Sequence, residues 1–484
     1  MDPFSRRFPG YGWAWPGGTL DQLLKAVLLP EDVALGLARQ WLATNDIEAA
    51  GFREHRLLAS LSERFGRQLA GHEAYPRLVG LQKMLWSRSR LAMREAVPVL
   101  EAIVATGHPL MLIKGAAQVA RDPNAQRARV SHDIDILVSG EAMPVAFEVL
   151  VGRGWAPATG ASAPFLRARV PLLRSMNFHR GEFGDVDLHQ FAYHPNQRSL
   201  RDDEALWARS LEVAYGGVPV RIPAPGDRIA IAIAHGGLDA HAHSDWLVDC
   251  ARTIRDEEVD WPVFLRTVED RSIAVPAAIA LSYLDREIGV GIDEAVMREI
   301  MRLARRAGLL TGLSTLLQAK PRGSYGLGVW LARGATKQHR LWRAERSASG
   351  EMPPSHPLWR GRRIGRAYGE GRDALQHPVA PPADGREGPR RLALTLECDL
   401  PAVRRRIEFE LSSASAPVAQ LRYRNTFGRP GRVKIRFDGA VAPAHLEGLR
   451  IEARPTRYLQ SRGNPEDLAR FGAVPASVAG VDWS

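Results

Sequence analysis

The sequence predicts an α+β fold, with a small mixed sheet flanked by helical segments and a C-terminal antiparallel domain like a β-sandwich. Three patterns predict it. Apolar residues recur at intervals of three and four between Leu20 and Thr106, which is typical of helices. Short strand-like runs alternate with helical patterns between His108 and Tyr215. After Arg391 the period falls to two, and turns rich in Gly and Pro separate the runs, which indicates antiparallel strands.

These changes of pattern predict five regions along the chain. They are an N-terminal helical region (1–77), a core that holds the sheet (78–215), a helical domain (216–345), a linker rich in Pro, Gly and Arg (346–390) and a β-rich domain (391–484). The linker is expected to be semi-extended because proline favours extended backbone.

The composition is that of a globular protein. Hydrophobic residues make up 45% and charged residues 25% of the chain, close to average usage. No apolar run approaches the roughly 18 residues that a spanning helix needs, and the first residues lack the apolar segment of a signal peptide. Cys250 and Cys398 are the two cysteines, which excludes a disulfide framework and a thiolate zinc cluster. We therefore expect a cytoplasmic protein without a membrane span.

The net charge of +11 and the pI near 10.0 raise the question of a nucleic-acid partner. The sequence does not favour one, because the excess is almost entirely arginine and no RNA-binding motif accompanies it. Transfer to an RNA end is kept as an alternative, in which the linker residues Arg360, Arg362, Arg363 and Arg366 would contact RNA.

The stretch from Pro109 to Val138 carries the candidate site. It opens with an apolar run that ends in Lys114-Gly115, which predicts a buried strand followed by a helix. It closes with a predicted strand in which Asp133 and Asp135 alternate with isoleucines, so that both carboxylates share one face. Two carboxylates on a core strand repel each other and lose solvation unless a cation lies between them.

A later predicted strand adds a third carboxylate. Between Gly184 and Phe191, the side chains of Asp185, Asp187 and His189 share one face. Phosphoryl transfer with two metal ions needs neighbouring carboxylates, a further carboxylate near the attacking hydroxyl, and cationic or backbone donors for the phosphates. The sequence offers these in the order Lys114-Gly115, then Asp133 and Asp135, then a carboxylate of the later strand.

In this order the motifs resemble those of the polymerase-beta-like nucleotidyltransferase superfamily, and more narrowly a bacterial group of uncharacterised nucleotidyltransferases. The matching segments are Ile113-Lys114-Gly115, Arg129, Asp133-Ile134-Asp135-Ile136-Leu137-Val138 and Val186-Asp187-Leu188-His189. The resemblance extends from about Leu78 to Val290 and excludes the linker and the β-rich domain.

The resemblance implies a role for each site residue. Asp133 and Asp135 would bind two Mg²⁺ ions, and Asp187 would complete the catalytic metal site. Gly115 would let backbone N–H groups approach a phosphate, and Lys114 would supply charge to the phosphates. Arg129 would either reach the triphosphate or pair with a carboxylate. The implied reaction moves a nucleoside monophosphate from an NTP, with ATP as the expected donor, to a hydroxyl of an unknown small molecule, sugar or protein.

An inactive protein of the same fold is the alternative function. It is suggested by Lys114-Gly115-Ala116, which stands where the superfamily has Gly-Ser or Gly-Gly, so that a phosphate-contacting hydroxyl is missing. Such a protein would serve as a binding protein or scaffold. Its β-rich domain would recruit a glycan or a protein partner, in connection with cell-surface polysaccharide synthesis.

Three further features are left open by the sequence. His189 either supports the metal ligands or only packs in the core. A polar group formed by His235, Asp239, His241, His243, Asp245 and Asp249 is expected to be a solvated loop between helices rather than a metal site. Tyr458 and Arg462 either line a ligand surface or are ordinary exposed residues of a sheet.

Overall fold

The computed structural model describes residues 11–158, 170, 175–193, 203–237, 244–307, 357–367, 375–382, 388–400, 406–414, 416–425, 431–454 and 474–484. The chain forms two compact units. The first consists of residues 1–149 and 180–350, and the second of residues 150–179 and 351–484. The first unit carries helices and a mixed sheet, and the second carries mainly antiparallel sheets, so the predicted α+β fold is confirmed.

The N-terminal part of the first unit is helical, as predicted. Its helices are α1 (Gly18–Leu28), α2 (Glu31–Thr44), α3 (Phe52–Phe65) and α4 (Tyr75–Val104). A proline inside a helix normally removes a hydrogen bond and kinks or ends the helix. Pro98 lies inside α4, and the helix nevertheless continues beyond it to Val104.

Short strands and helices follow. They are β1 (Met111–Leu112), α5 (Lys114–Arg121), β2 (Ile134–Leu137), α6 (Ala142–Gly152), β3 (Ala156–Pro157), β4 (Ser175–Arg180), β5 (Gly184–His189), α7 (Glu204–Arg209), β6 (Leu211–Tyr215) and β7 (Val218–Ile222).

The strands of the first unit pair in the order β5-β2-β1-β7-β6. The pairs β2/β5 and β1/β7 are parallel, whereas β1/β2 and β6/β7 are antiparallel, so the sheet is mixed. Strand β7 lies within the stretch for which a helical domain is predicted from residue 216, so the sheet extends beyond the predicted boundary of the core region. In the second unit, β3 and β4 form an antiparallel pair.

Helices return after the sheet and share one core with the N-terminal helices. They are α8 (Pro225–Gly236), α9 (Asp245–Asp256), α10 (Trp261–Asp270), α11 (Ala274–Tyr283) and α12 (Glu294–Arg306), with a π-helical turn at Leu284–Ile288. Leu23, Leu57 and Leu281 are fully buried in the same hydrophobic cluster. Polar contacts join the two sets as well, since the Tyr283 hydroxyl donates to Asp21 at 2.8 Å and Lys25 Nζ donates to Glu287 at 2.8 Å.

The second unit contains two further sheets. Their strands are β8 (Leu358–Arg360), β9 (Arg362–Arg366), β10 (Gln376–Pro378), β11 (Arg390–Leu400), β12 (Arg406–Ser412), β13 (Pro417–Arg424), β14 (Gly431–Val441), β15 (Arg450–Arg454) and β16 (Ala476–Trp483). One sheet has the order β10-β15-β12-β13-β8 and the other β16-β11-β14-β9. All pairs are antiparallel except β8/β13.

The two sheets pack through aromatic side chains. Phe409 of β12 meets Phe437 of β14 edge to face, with ring centroids 6.0 Å apart. The indole of Trp359 in β8 lies so close to Gly439 of β14 that a side chain at Gly439 would overlap it. This core is the sandwich that the period of two predicts.

Strands β8, β9 and β10 lie in the stretch for which a linker is predicted. Arg360, Arg362, Arg363 and Arg366 belong to β8 and β9, and all four are exposed. Trp359 explains the difference, because its burial at 5% exposure anchors β8 in the sandwich core. Throughout the described ranges, no helix combines the length and apolar character needed to cross a membrane.

Candidate functional site

Two aspartates face each other on neighbouring parallel strands of the first unit. Asp135 of β2 and Asp187 of β5 are register partners. The residues flanking them on both strands are fully buried on the opposite face of the sheet: Ile134, Ile136, Val186 and Leu188. Because side chains alternate along a strand, this register brings both carboxylates to the same face. Like charges directly opposite each other are destabilising, so the site needs cations.

His189 lies between the two carboxylates. It follows Asp187 by two residues on the same face of β5 and is 1% exposed. Its Nε2 atom is 3.1 Å from Asp135 Oδ1 and 2.8 Å from Asp187 Oδ2. Burial alone would lower the pKa of His189, but the charge of Asp187 and the hydrogen bonds to both carboxylates raise it.

Lys114 approaches Asp135 from the neighbouring strand. The N–H of Ile113 donates to the carbonyl oxygen of Asp135 at 3.1 Å, which sets the residue after β1 beside this carboxylate. Lys114 Nζ lies 2.5 Å from Asp135 Oδ1. Burial opposes the charge of Lys114, yet Asp135, Asp187 and Asp133 together raise its pKa, so it remains an ammonium. Burial also opposes the charge of Asp135, but Lys114 and His189 keep the pKa of Asp135 low.

The backbone of Lys114 adopts a left-handed conformation, with φ at +54°. This region costs an L-residue with a side chain roughly 1–2 kcal/mol. The left-handed residue joins the end of β1 to the first turn of α5. We attribute this left-handed conformation to the ion pair with Asp135, which holds the side chain of Lys114 in place.

Gly115 and Arg129 lie in contact at the start of α5. A Cβ atom at Gly115 would be 2.8 Å from Nη2 of Arg129 and 3.1 Å from its Cζ. The distance to Nη2 is shorter than real Cβ contacts, so a side chain at this position would force the guanidinium of Arg129 or the start of α5 to move. The glycine allows the guanidinium to lie against the N-terminus of the helix.

Arg129 pairs with two buried carboxylates of α9. Its Nε donates to the two oxygens of Asp249 at 2.9 and 3.0 Å, and its Nη1 lies 2.7 Å from Asp245 Oδ2. Nη1 also donates to the carbonyl oxygen of Val130 at 2.8 Å. Arg56 Nε lies 3.1 Å from Asp245 Oδ2, so two arginines balance two aspartates. Of the two roles that the sequence leaves open for Arg129, the structure describes the pairing with carboxylates. Contact with a triphosphate stays a prediction.

Arg129 favours ionisation of both partners, but the pKa values of the two carboxyls shift in opposite directions. Burial opposes ionisation of Asp245, but Arg129 and Arg56 keep the pKa of this carboxyl low. Burial raises the pKa of Asp249, and the neighbouring charge of Asp245 adds to this rise. The pair on α9 is therefore held together by the guanidinium of Arg129, and it connects this helix to the start of α5.

Asp133 lies just before β2 and is half-buried. Ser131 Oγ donates to its carbonyl oxygen at 2.7 Å, which fixes the backbone at this point. The charge of Asp133 helps to raise the pKa of Lys114, and it opposes the lowering of the pKa of Asp187 by His189 and Lys114, so its carboxylate acts on the same site. The predicted strand includes Asp133, whereas β2 begins one residue later, at Ile134.

A donor set suited to a metal ion is formed by Asp135, Asp187 and His189. One ligand atom from each lies within 4.8 Å of the others. The second oxygen of Asp187, Oδ1, is buried and has no hydrogen-bond partner among the residues that the structure describes. A buried acceptor without a partner is costly, and a cation would satisfy it. The residues therefore fit a divalent ion.

This set differs from the one predicted. The sequence assigns metal binding to Asp133, Asp135 and Asp187, and the geometry adds His189 to the last two. The feature of the sequence that identifies His189 as a site residue is its position two residues after Asp187, which places both side chains on the same face of the strand. The metal-binding roles of the three aspartates stay predictions.

The described members of the predicted solvated loop lie in helices instead, His235 in α8 and Asp245 and Asp249 in α9. Asp245 and Asp249 are 4% and 6% exposed and pair with Arg129. His235 Nε2 is 2.8 Å from the carbonyl oxygen of Ala192. Burial of the two aspartates is possible because Arg129 and Arg56 neutralise them. Asp239, His241, His243, Tyr458 and Arg462 lie outside the described residues.

The part of the chain that contains this site matches a known family. Residues 52–287 match the model of a family described as uncharacterised nucleotidyltransferase. The site lies in a nucleotidyltransferase-like region. All six predicted site residues fall within the match, so the resemblance to nucleotidyltransferases is confirmed at this coarse level, and the match is consistent with a transferase. The chain has no match among the curated proteins or the solved structures. The bacterial origin stays a prediction.

Proposed function

We propose that the chain is a metal-dependent nucleotidyltransferase that moves a nucleoside monophosphate from a nucleoside triphosphate to a hydroxyl group. ATP is the expected donor and Mg²⁺ the expected ion. The acceptor would be a small molecule, a sugar or a protein, and pyrophosphate would be released. The proposal keeps the cytoplasmic setting expected from the sequence, where nucleoside triphosphates are available.

One observation carries this proposal: the register pair Asp135 and Asp187 lies beside Lys114-Gly115 within the region that matches a nucleotidyltransferase family. Phosphoryl transfer depends mostly on positioning and on electrostatic stabilisation of the phosphate oxygens. Carboxylates that hold cations and an ammonium at a helix N-terminus meet these two needs.

Lys114 and Gly115 would bind the phosphates. Lys114 Nζ is charged and its side chain is 27% exposed, so it can turn from Asp135 towards a phosphate oxygen. The N-terminus of α5 carries backbone N–H groups that favour an anion. Arg129 lies against Gly115 and adds positive charge at the same end of the helix.

Asp135, Asp187 and His189 would hold the metal, with Asp133 adding negative charge. A divalent ion bound there would offset the charge of the phosphates and lower the pKa of the attacking hydroxyl. Asp187, which contacts His189 through Oδ2, would also accept the proton of this hydroxyl. The hydroxyl oxygen forms a bond to the α-phosphorus, and the bond from that phosphorus to the bridging oxygen of pyrophosphate breaks.

The test uses ATP labelled either at the α- or at the γ-phosphate, incubated with the full-length chain, Mg²⁺ and a cell extract. Nucleotidyl transfer predicts label in an acceptor from α-labelled ATP and none from γ-labelled ATP. Label from the γ-position alone would show phosphoryl transfer and would refute the proposal. RNA from the same extract is separated as its own fraction, because Arg360, Arg362, Arg363 and Arg366 are exposed in the second unit.

A binding protein without transferase activity is the second candidate. Two observations favour it: Lys114 is paired with Asp135, and Ala116 provides no hydroxyl in the first turn of α5. This candidate predicts that the chain binds ATP in equilibrium dialysis but that no acceptor becomes labelled. Its partner would be a glycan or a protein at the β-rich domain.

A further inference from the structure

We infer that His189 is a direct ligand of the metal, so that the site takes a first-row transition-metal ion such as Mn²⁺ in preference to Mg²⁺. This inference rests on the proposed function, because it names the class of ion used by that same site. It differs from what the resemblance implies, which is a site built from Asp133, Asp135 and Asp187 for Mg²⁺.

The convergence of three donor atoms is the first argument. His189 Nε2 is within 3.1 Å of one carboxylate and 2.8 Å of the other, and each of the three residues offers an atom within 4.8 Å of the other two. A cation that binds both carboxylates would therefore lie next to the imidazole. The backbone holds this arrangement, because Asp135 pairs with Asp187 and Leu137 pairs with His189 in one parallel ladder.

The surroundings of His189 argue against a packing role alone. A histidine without a metal-binding role can bond to the backbone, as the half-buried His235 does through Nε2 and the carbonyl oxygen of Ala192 at 2.8 Å. His189 Nε2 instead contacts carboxylate oxygens of both Asp135 and Asp187. An apolar residue would fill the same space in the core without the loss of solvation that a buried imidazole suffers.

Charge balance points to a divalent ion. Asp133, Asp135 and Asp187 bring three carboxylates to the site, and Lys114 brings one ammonium group beside Asp135. The neighbouring network contains two positive and two negative side chains and so adds no net charge: Arg56, Arg129, Asp245 and Asp249. With a neutral imidazole, the site keeps two net negative charges, which match a divalent cation.

The nature of the donors then decides the class of ion. Mg²⁺ prefers oxygen ligands and usually keeps several waters, whereas imidazole nitrogen suits transition metals. Two carboxylates and one imidazole form a set of mixed oxygen and nitrogen donors. Transition metals that also bind carboxylates, such as Mn²⁺, accept such a set. The affinity of such a site should rise from Mn²⁺ to Cu²⁺ and fall again at Zn²⁺, which is the usual order for divalent ions of this row.

The test measures metal binding to the metal-free, full-length chain without nucleotide. Mn²⁺ is titrated and followed by electron paramagnetic resonance, and spin-echo modulation reports whether a ¹⁴N nucleus is bonded to the ion. The variants are His189→Gln, the matched control His235→Gln, and Asp185→Asn as a second control on the same strand. Circular dichroism shows whether each variant is folded.

The inference predicts imidazole ¹⁴N modulation in the wild type and at least about tenfold tighter binding of Mn²⁺ than of Mg²⁺. His189→Gln should lose the modulation and weaken Mn²⁺ binding by about tenfold or more, since even outer-shell partners of a metal site are worth about 10–100-fold in affinity. Both controls should keep the modulation and the affinity.

Mn²⁺ bound without ¹⁴N modulation would overturn the inference, as would the absence of Mn²⁺ binding. So would an unchanged preference for Mn²⁺ over Mg²⁺ in folded His189→Gln. These outcomes are separate from failure of the proposed function. Nitrogen-coordinated Mn²⁺ in a protein that labels no acceptor would refute nucleotidyl transfer alone, whereas Mg²⁺-dependent transfer by His189→Gln at the wild-type rate would refute the inference alone.

Discussion

Arg129 lies against the backbone of Gly115, so closely that a Cβ atom at Gly115 would be 2.8 Å from Nη2 of the arginine. The guanidinium cannot move away freely, because its ion pairs with Asp245 and Asp249 hold it in place. A small residue at the start of α5 and a buried arginine from the segment before β2 therefore depend on each other. This contact connects the site to α9.

Gly115→Ala should destabilise the first unit. The added methyl group forces Arg129 or the start of α5 to move, and overpacking of this kind typically costs about 1–3 kcal/mol. Gly36→Ala is the matched control, since Gly36 lies within α2 and nothing lies within 4 Å of the added Cβ. The control should be stabilised by about 0.5–1 kcal/mol, because glycine is unfavourable inside a helix. Urea unfolding measures the free energy of unfolding of the two variants. Equal changes would show that Arg129 leaves room for a Cβ atom at Gly115.

The left-handed backbone of Lys114 gives a second prediction. Lys114→Gly and Lys114→Ala both remove the ammonium, but only glycine adopts a φ of +54° without steric cost. Lys114→Gly should therefore be more stable than Lys114→Ala by about 1 kcal/mol. Thermal unfolding of the two variants in the same buffer measures the difference. If the alanine variant is the more stable one, the strain at this residue is absent in solution.

Loss of Arg129 should be among the most destabilising single changes in the first unit. Arg129→Met leaves Asp249 buried without its partner and Asp245 with Arg56 alone, and breaking a buried pair typically costs about 3–5 kcal/mol. The double variant Arg129→Met/Asp249→Leu should recover part of the loss, because it removes one uncompensated carboxylate. Both are measured by urea unfolding. A loss below about 1 kcal/mol in the single variant would show that water or a counter-ion replaces the arginine.

Stability should fall at alkaline pH through Tyr283 and Lys25. Burial beside Asp21 raises the pKa of the Tyr283 hydroxyl, and although burial disfavours the charge of Lys25, Glu287 and Asp21 raise its pKa above 10.5. Both groups hold their protons more tightly in the folded state. Their contribution is therefore complete below about pH 10 and is lost as the pH rises further.

Tyr283→Phe tests this pH dependence, because phenylalanine cannot ionise. The free energy of unfolding of the wild type should fall more steeply than that of the variant above about pH 10. Urea unfolding at a series of pH values measures the two slopes. Parallel curves would mean that Tyr283 titrates equally in the folded and unfolded states.

The sequence predicts where the site lies better than it predicts which residues form the group of metal ligands. Alternation along β2 and β5 predicts that Asp135 and Asp187 turn from the core, and the structure adds that the two are register partners. Register depends on which strands are neighbours, which a local pattern does not reveal. The same alternation points to His189, yet only the distances to both carboxylates distinguish it from a packed histidine.

Long-range pairings account for the other differences. Arg129 and its partner Asp249 are 120 residues apart in the sequence. Both residues could be singled out from the sequence, but their ion pair could not be predicted from it. Strand β7 (Val218–Ile222) alternates buried residues with more exposed ones, but its pairing with β1 depends on the three-dimensional fold. In the second unit, strands β8 and β9 are short and rich in arginine, and burial of Trp359 explains why they join the sandwich.

The most direct test of the metal-dependent transferase is the rate of nucleotide transfer by three variants of equal charge change: Asp135→Asn, Asp187→Asn and Asp185→Asn. Each is assayed with α-labelled ATP and Mn²⁺ or Mg²⁺, after urea unfolding shows that it is folded. Asp135→Asn and Asp187→Asn should lose about 10²–10⁴-fold in rate, as expected when a group that acts on the reacting atoms is removed. Asp185→Asn, on the same face of β5 but outside the group of three, should stay within about threefold of the wild type. Transfer at the wild-type rate by Asp135→Asn and Asp187→Asn would contradict the assignment of the site.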